Sequence, residues 1–133
     1  MDKKLREQID YWHKSGKKNL DAMQILFENK HYDSALFFGH LALEKTLKGL
    51  IVGITEKQAP FIHDLEKLAL LANLEFDEAK AIKLRVITDF NIAGRYKEVK
   101  FSFYKKCDKK YSDKYIKIIE ELFLWLEKKY QKK

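Results

Sequence analysis

The stretch that decides the fold is YDSALFFGHLALEKTLKGL, residues 32–50. Asp33 near its start can cap a helix. The apolar residues that follow cannot all share one stripe about 100° wide; they are Ala35, Leu36, Phe37, Phe38, Leu41, Leu43, Leu47 and Leu50. A helix with this pattern lies either at the centre of a bundle or between a core and a partner.

Four ionisable residues interrupt the same helix: His40, Glu44, Lys45 and Lys48. Burying charge is costly unless the charges are paired or face a cleft, so we expect a functional surface here. His40 and Glu44 are one turn apart and can form a hydrogen bond, which would raise the pKa of the histidine if both residues face a cleft. The alternative is a purely structural pair. Lys45 and Lys48 could contact phosphate or only solvent.

Composition indicates one all-α domain spanning residues 1–133, with a single proline and five glycines. Cys107 is the only cysteine, which excludes an internal disulfide and favours a reducing compartment. No apolar run approaches the roughly 20 residues that cross a bilayer, and we expect a cytoplasmic protein. Four histidines without HExxH spacing and the absence of a glycine-rich phosphate loop predict no metal site and no cofactor.

Periodicity predicts five helices. The first four cover residues 3–28, 33–52, 62–73 and 77–91, with Gly53 ending the second and Asp77 capping the fourth. Ser112 is expected to cap the last. Residues 94–111 lack a clear period and are predicted to form a long ordered loop.

That loop is rich in lysine and aromatic residues, a combination that suits a polyanion whose bases can stack. The alternative is a solvated loop whose aromatic rings fold back onto the core. The lysines around Cys107 could also lower the pKa of its thiol.

Three segments together resemble the HEPN family. They are ALFFGHLALEKTLKGLIV (residues 35–52), His63-Asp64-Leu65, and NIAGRY (residues 91–96). The resemblance implies an up-and-down bundle of four long helices plus a short extra one, usually assembled as a homodimer. Family members are either metal-independent ribonucleases, often the toxins of toxin–antitoxin pairs, or non-catalytic modules that bind nucleotide or accompany a minimal nucleotidyltransferase.

The ribonuclease branch carries an arginine followed, after four to six residues, by a histidine near the last helix. Here Arg95 is followed by YKEVKFSFYKK, and no histidine occurs after His63. Arg6 and His13 have a compatible spacing but lie on the first helix. The sequence therefore favours a non-catalytic module.

The candidate ligand residues are Arg95, Tyr96 and His63, together with the four on the second helix. Arg95 follows Gly94 and could clamp phosphate, or it could pair with Glu98 or Asp89. Tyr96 could stack on a base. His63 could line a cleft, or act only as a helix cap or packing residue.

Three functions remain open at this stage. The favoured one is a homodimeric module that binds nucleotide or RNA phosphate in a charged cleft between the second helix and Arg95-Tyr96, with a nucleotidyltransferase as partner. The alternatives are a ribonuclease toxin with an atypical active site and a structural dimerisation protein.

Overall fold

The computed structural model describes residues 1–131, with only the backbone of Gln131, and contains six helices and no strand within that range. The helices are α1 (Lys3–Glu28), α2 (Tyr32–Thr55), α3 (Leu65–Leu71), α4 (Glu78–Thr88), α5 (Lys97–Lys106) and α6 (Lys109–Gln131). Three helices are long and three are short. The predicted all-α bundle is confirmed.

Helix α2 forms the centre of the bundle. Fourteen of its 24 residues are buried, because α1 packs along one side of it while α6 and α3 cover the others. The apolar surface on several faces of α2 is therefore covered within one chain. The apolar residues of α2 are therefore not evidence that a second copy of the chain packs against this helix.

The α1–α2 contact is close because glycines lie where the helices meet. A Cβ on Gly16 would collide with the Thr46 hydroxyl and lie 3.0 Å from the Ala42 carbonyl oxygen. A Cβ on Gly49 would collide with the Tyr130 hydroxyl, which itself donates a 2.6 Å hydrogen bond to the Thr46 carbonyl. Side chains larger than hydrogen at either position would push the helices apart.

Several helix ends differ from the prediction. Asp33 does not cap α2, which begins at Tyr32 after His31 and has no side-chain cap hydrogen bond. Gly53 does not terminate α2, which continues to Thr55 and ends at Glu56 in the left-handed region, φ 55°. Helix α3 is shorter than predicted because the Asp64 carboxylate caps it, accepting from the Lys67 amide at 3.1 Å. The predicted cap at Asp77 is confirmed, since its carboxylate accepts from the Lys80 amide at 2.9 Å.

The predicted loop over residues 94–111 is wrong. Most of it is α5, which contains no buried residue and so leaves no apolar stripe in the sequence. The cap of α6 is Asp108, whose carboxylate accepts from the Tyr111 amide at 2.8 Å. Ser112 is instead fully buried inside α6. None of the helices in residues 1–131 has the length and apolarity needed to cross a membrane.

Candidate functional site

The Glu44 carboxylate organises a cluster of ionisable groups on α2. Glu44 is only 5% exposed. Its Oε2 accepts a 2.9 Å hydrogen bond from Lys48 Nζ, one turn further along α2, and its Oε1 accepts a 3.0 Å bond from His63 Nδ1. Helical spacing brings Lys48 to Glu44, whereas only the tertiary fold brings His63.

Glu44 remains ionised in this setting. Burial raises the pKa of its carboxyl, but the hydrogen bonds from Lys48 and His63 outweigh burial and leave the pKa below its ordinary value. Lys48 is itself buried, and its ammonium lies 5.5 Å from the centroid of the Trp12 ring. Lys48 and Glu44 thus form a buried salt bridge, and the expectation that Lys48 contacts phosphate or solvent is wrong.

His40 is fully buried and ties α2 to the segment that precedes α3. Its Nε2 donates a 2.9 Å hydrogen bond to the His63 carbonyl oxygen. Burial lowers the pKa of His40, and this hydrogen bond and the Glu44 charge oppose that effect only in part. The imidazole is therefore neutral at physiological pH, with an unprotonated Nδ1 lying 3.7 Å from Glu44 Oε1. At that distance the predicted hydrogen bond between His40 and Glu44 is not formed, and the expected rise in the pKa of His40 is wrong because burial outweighs the Glu44 charge.

His63 is the member of the cluster that meets solvent, with its side chain 64% exposed. An ionised carboxylate can only accept, so Nδ1 carries the proton that Glu44 receives. In the neutral imidazole, Nε2 then presents a lone pair to solvent. Such a nitrogen can accept a hydrogen bond or take up a proton.

Lys45 is half-buried on the side of α2 that faces Lys18 of α1. Burial lowers the pKa of Lys45, and the charges of Lys18 and Lys48 lower it further, while Glu44 opposes them. Lys45 makes no ion pair within residues 1–131.

Arg95 and Tyr96 lie elsewhere, in the turn between α4 and α5. Gly94 enters this turn at φ 77°, and Tyr96 is exposed at the start of α5. Arg95 lines an open cavity of about 390 Å³ between this turn and α5, together with Asp89 and Glu98. Neither carboxylate forms an ion pair with Arg95 in the part of the chain that the structure describes.

The predicted residues thus form two groups. One is the α2 cluster with His63, and the other is the Arg95-Tyr96 turn; no hydrogen bond or ion pair within residues 1–131 joins the two directly. The Leu65 amide donates a 3.0 Å hydrogen bond to Thr88 Oγ1, which ties the segment that carries His63 to the end of α4. Arg95 follows Thr88 by only seven residues.

Helix α5, in the segment predicted to be a loop, presents an exposed surface of cations and aromatic rings. We call it the α5 surface; it comprises the exposed residues Arg95, Tyr96, Lys97, Lys100, Phe101, Tyr104 and Lys105. Phe101 and Tyr104 are nearly parallel, with ring centroids 6.4 Å apart and planes at 13°, and Lys105 Nζ lies 4.5 Å from the Phe101 centroid. The spacing of three residues between these two rings is the signal that could have revealed a helix face.

The aromatic residues in this region divide into a core-packed subset and an exposed subset. Phe103 and Tyr111 fold back onto the buried Phe90, at centroid distances of 5.5 and 6.3 Å. Phe101 and Tyr104 face solvent. Two of the five rings in residues 94–111 therefore support the core, and the other three, Tyr96 among them, are exposed.

Two further sequence candidates have structural explanations. His13 pairs with Glu127 and stacks on Tyr130 at a centroid distance of 4.0 Å, so it joins α1 to α6. Cys107 is buried, and burial raises the pKa of its thiol to about 12. The expectation that nearby lysines would lower that pKa is wrong, because the loss of hydration outweighs their charge.

No group of three or more His, Cys, Asp or Glu within residues 1–131 could hold a metal ion.

Comparison with known families settles the classification. The HEPN domain model matches residues 9–129. The chain belongs to the HEPN family. This makes it a helical module of a nucleotide- and RNA-associated type, and it confirms the resemblance of the three sequence segments.

One solved structure shows the same HEPN-type fold. It is the crystal structure of TT1696 from Thermus thermophilus, with a TM-score of 0.74 and 20% sequence identity, covering 92% of this chain and 98% of that one. At this identity the likeness concerns the fold. The sequence matches no curated protein.

Proposed function

We propose that this HEPN module binds RNA or nucleotide through the α5 surface and does not cleave it. The observation that carries the proposal is that α5 buries none of its ten residues. A helix of this kind gains little from packing, yet it displays cations and aromatic faces together. That combination suits a ligand with phosphates and bases.

Charge around α5 favours phosphate. Residues 95–110 contain seven cations, Arg or Lys, and only two carboxylates, Glu98 and Asp108. Arg95 has no carboxylate partner in residues 1–131 and can offer its planar guanidinium to a phosphate group. We therefore expect binding that weakens steeply as salt rises.

The non-catalytic part of the proposal rests on the missing family histidine in α6 and not on distance alone, because the exposed His31 lines a cavity together with Tyr104 and Lys105 of the α5 surface. His13 is engaged with Glu127 and Tyr130, and His40 is buried. Neither can reach a ligand on the α5 surface without rearrangement. Helix α6, where the family's nuclease histidine is expected, has no histidine.

One observation favours a second candidate, a metal-independent ribonuclease. His63 has an exposed Nε2 and an Nδ1–H held by Glu44, the arrangement of an oriented general base. Arg95 would then serve as the phosphate clamp. Cleavage of RNA that survives EDTA and disappears in His63→Ala would establish this activity.

Binding is tested with a fluorescein-labelled, mixed-sequence RNA by fluorescence anisotropy in EDTA, with the same RNA checked on a denaturing gel. Arg95→Ala should weaken binding roughly tenfold, the range of one strong phosphate contact (about 1.4 kcal/mol). The control is Arg6→Ala, which removes an exposed arginine from α1. Equal affinity for the two variants would contradict the proposed site.

An aromatic pair of variants provides an independent check. Tyr104 on α5 and Tyr11 on α1 are both 60% exposed. Loss of a stacking ring lowers affinity by about 1–3 kcal/mol, so Tyr104→Ala should weaken binding clearly and Tyr11→Ala should not. Intact RNA throughout the titration supports the non-catalytic assignment.

Assembly as a homodimer and action with a nucleotidyltransferase partner are also proposed, supported by family membership alone. Light scattering across a micromolar concentration series tests the first, with a mass of twice 15.9 kDa expected. Co-purification with a nucleotidyltransferase encoded beside this chain tests the second.

A further inference from the structure

The loop between α2 and α3 exposes a phenylalanine almost completely. Phe61 is 99% exposed, more than any other large apolar residue that the structure describes. Scattered exposed apolar residues are common, but a ring with essentially no intramolecular contact is not. Its exposure could reflect either a free loop end or presentation to a ligand.

The backbone beside Phe61 is held in place. The His63 carbonyl accepts from His40 Nε2 at 2.9 Å, and the Leu65 amide donates to Thr88 Oγ1 at 3.0 Å. Ile62 packs against the core. Phe61 is therefore presented by a fixed segment, in which its ring points away from the bundle.

His63 supplies a fixed polar atom two residues from that ring. Its Nδ1–H is engaged by Glu44, so in the neutral imidazole the exposed Nε2 can only accept a hydrogen bond. A phosphate diester has no proton to donate, and this nitrogen does not favour it. A nucleobase or a ribose does offer donors, namely exocyclic N–H groups and the 2′-hydroxyl.

We propose that Phe61 and His63 form a nucleobase subsite, in which the Phe61 ring stacks on an unpaired base and His63 Nε2 accepts a hydrogen bond from that nucleotide. The subsite extends the proposed function, on which it rests, by making the ligand a single strand with at least one unstacked base. Phosphates of the strand lie on the α5 surface. The link from Leu65 to Thr88 places the loop beside the end of α4, and the chain from there leads to Arg95.

The stacking half is tested by anisotropy with single-stranded and fully duplex RNA of equal length. Phe61→Leu keeps an apolar side chain but removes the π face, and Phe61→Trp keeps a ring. We expect Phe61→Leu to weaken single-strand binding roughly tenfold, Phe61→Trp to retain it, and neither to change duplex binding. Because Phe61 makes almost no contact, these variants should fold as the wild type does, which circular dichroism verifies.

Each result has a defined meaning. If Arg95→Ala weakens binding and Phe61→Leu does not, the subsite is refuted while the proposed function stands. If neither variant matters, both fall. If Phe61→Leu retains RNA binding but Phe61→Ala abolishes association with a copurifying protein, the ring docks a protein and the inference is overturned.

The hydrogen-bonding half is tested in two ways. Nitrogen-15 NMR of the histidine ring should show neutral His63 protonated on Nδ1, whereas free histidine in water favours the other nitrogen; an Nε2–H form would refute the proposed geometry. Binding measurements with different oligonucleotides then identify which group of the nucleotide donates the hydrogen bond. If the protein prefers RNA over DNA and this preference disappears in His63→Ala, the donor is the 2′-hydroxyl. If it prefers oligo-C or oligo-A over oligo-U and that preference disappears in the same variant, the donor is an exocyclic amine. If neither preference changes, His63 is not part of the subsite.

Discussion

Replacing Glu44 by glutamine should destabilise the protein strongly, because it leaves the buried Lys48 ammonium without a counter-charge. The Lys48 side chain is 7% exposed, and its Nζ lies 2.9 Å from the carboxylate. Breaking a buried pair from one side costs about 3–5 kcal/mol. We expect the lower end, about 3 kcal/mol, because Lys48 keeps the Trp12 ring and the amide oxygen of glutamine can still accept a hydrogen bond.

This free energy converts into a measurable shift in melting temperature. Unfolding entropy is about 2.1 cal/mol/K per residue. For 133 residues a loss of about 3 kcal/mol lowers Tm by roughly 10 °C. Urea and thermal unfolding followed by circular dichroism give the two values independently.

A double-mutant cycle with Lys48→Met isolates the charge pair from other effects of the substitution. The double variant has no buried ammonium, so it should be more stable than Glu44→Gln alone, with a coupling energy of about 2–3 kcal/mol. Asp10 and Lys14 supply the control, since they have the same i,i+4 spacing but are 60% and 77% exposed. Asp10→Asn should change the free energy of unfolding by less than about 0.5 kcal/mol.

Two results would refute this reasoning. One is a loss of stability in Glu44→Gln as small as that in Asp10→Asn, which would mean that Lys48 reaches water. The other is additivity of Glu44→Gln and Lys48→Met, which would mean that the two charges do not interact.

Three other perturbations follow from buried groups. Burial lowers the pKa of His40 below 6.5, so near and below that pH the unfolded chain binds a proton that the folded chain does not. The neutral His40 therefore makes its full contribution to the free energy of unfolding above about pH 6.5, and this contribution declines as the pH falls. The urea midpoint of the wild type should therefore be lower at about pH 5.5 than at about pH 7.5. His40→Gln should show a smaller change between the two pH values. A wild-type midpoint that is the same at both would contradict the prediction. Gly49→Ala should lower the free energy of unfolding by about 1–3 kcal/mol, because the added Cβ collides with the Tyr130 hydroxyl and lies 3.1 Å from Trp12 Cβ. An unchanged Tm in this variant would mean that α6 moves aside to accommodate the methyl group. Cys107, whose pKa is raised to about 12, should react with a disulfide reagent much more slowly in the native protein than in guanidinium, and equal rates would disprove its burial.

Local sequence signals predicted much of the fold correctly. The bounds of α1 and the cap at Asp77 were predictable because helix periodicity and capping act within a few residues. The apolar residues of α2 indicated either a bundle centre or a partner surface, and only packing against α1, α3 and α6 decided for the centre.

Helix α5 could not be predicted in the same way. A core-facing helix repeats apolar residues every three or four positions, whereas α5 contributes only the partly buried Phe103 to the core. Its rings at 101 and 104 share a face for a reason unrelated to burial. The pattern therefore resembled a loop.

For the candidate site, the sequence indicated that His40 and Glu44 are neighbours because one helical turn separates them. The pairing of Glu44 with Lys48 was not predicted, although the same spacing permits it. The sequence could not predict that His63, nineteen positions from Glu44, donates to the same carboxylate. Nor could it separate the α2 cluster from Arg95 and Tyr96, since distances between segments depend on how helices pack. The exposed Phe61 gave no local signal, because an isolated phenylalanine in a loop is usually buried.

The sequence by itself determined the all-α class, the central helix, the cap at Asp77 and membership of the HEPN family, because these depend on composition, periodicity and short motifs. The tertiary structure decided which ionisable groups meet, which aromatic rings face solvent and which nitrogen of His63 is free. Those properties depend on contacts between residues far apart in the chain, and such contacts exist only once the helices have packed.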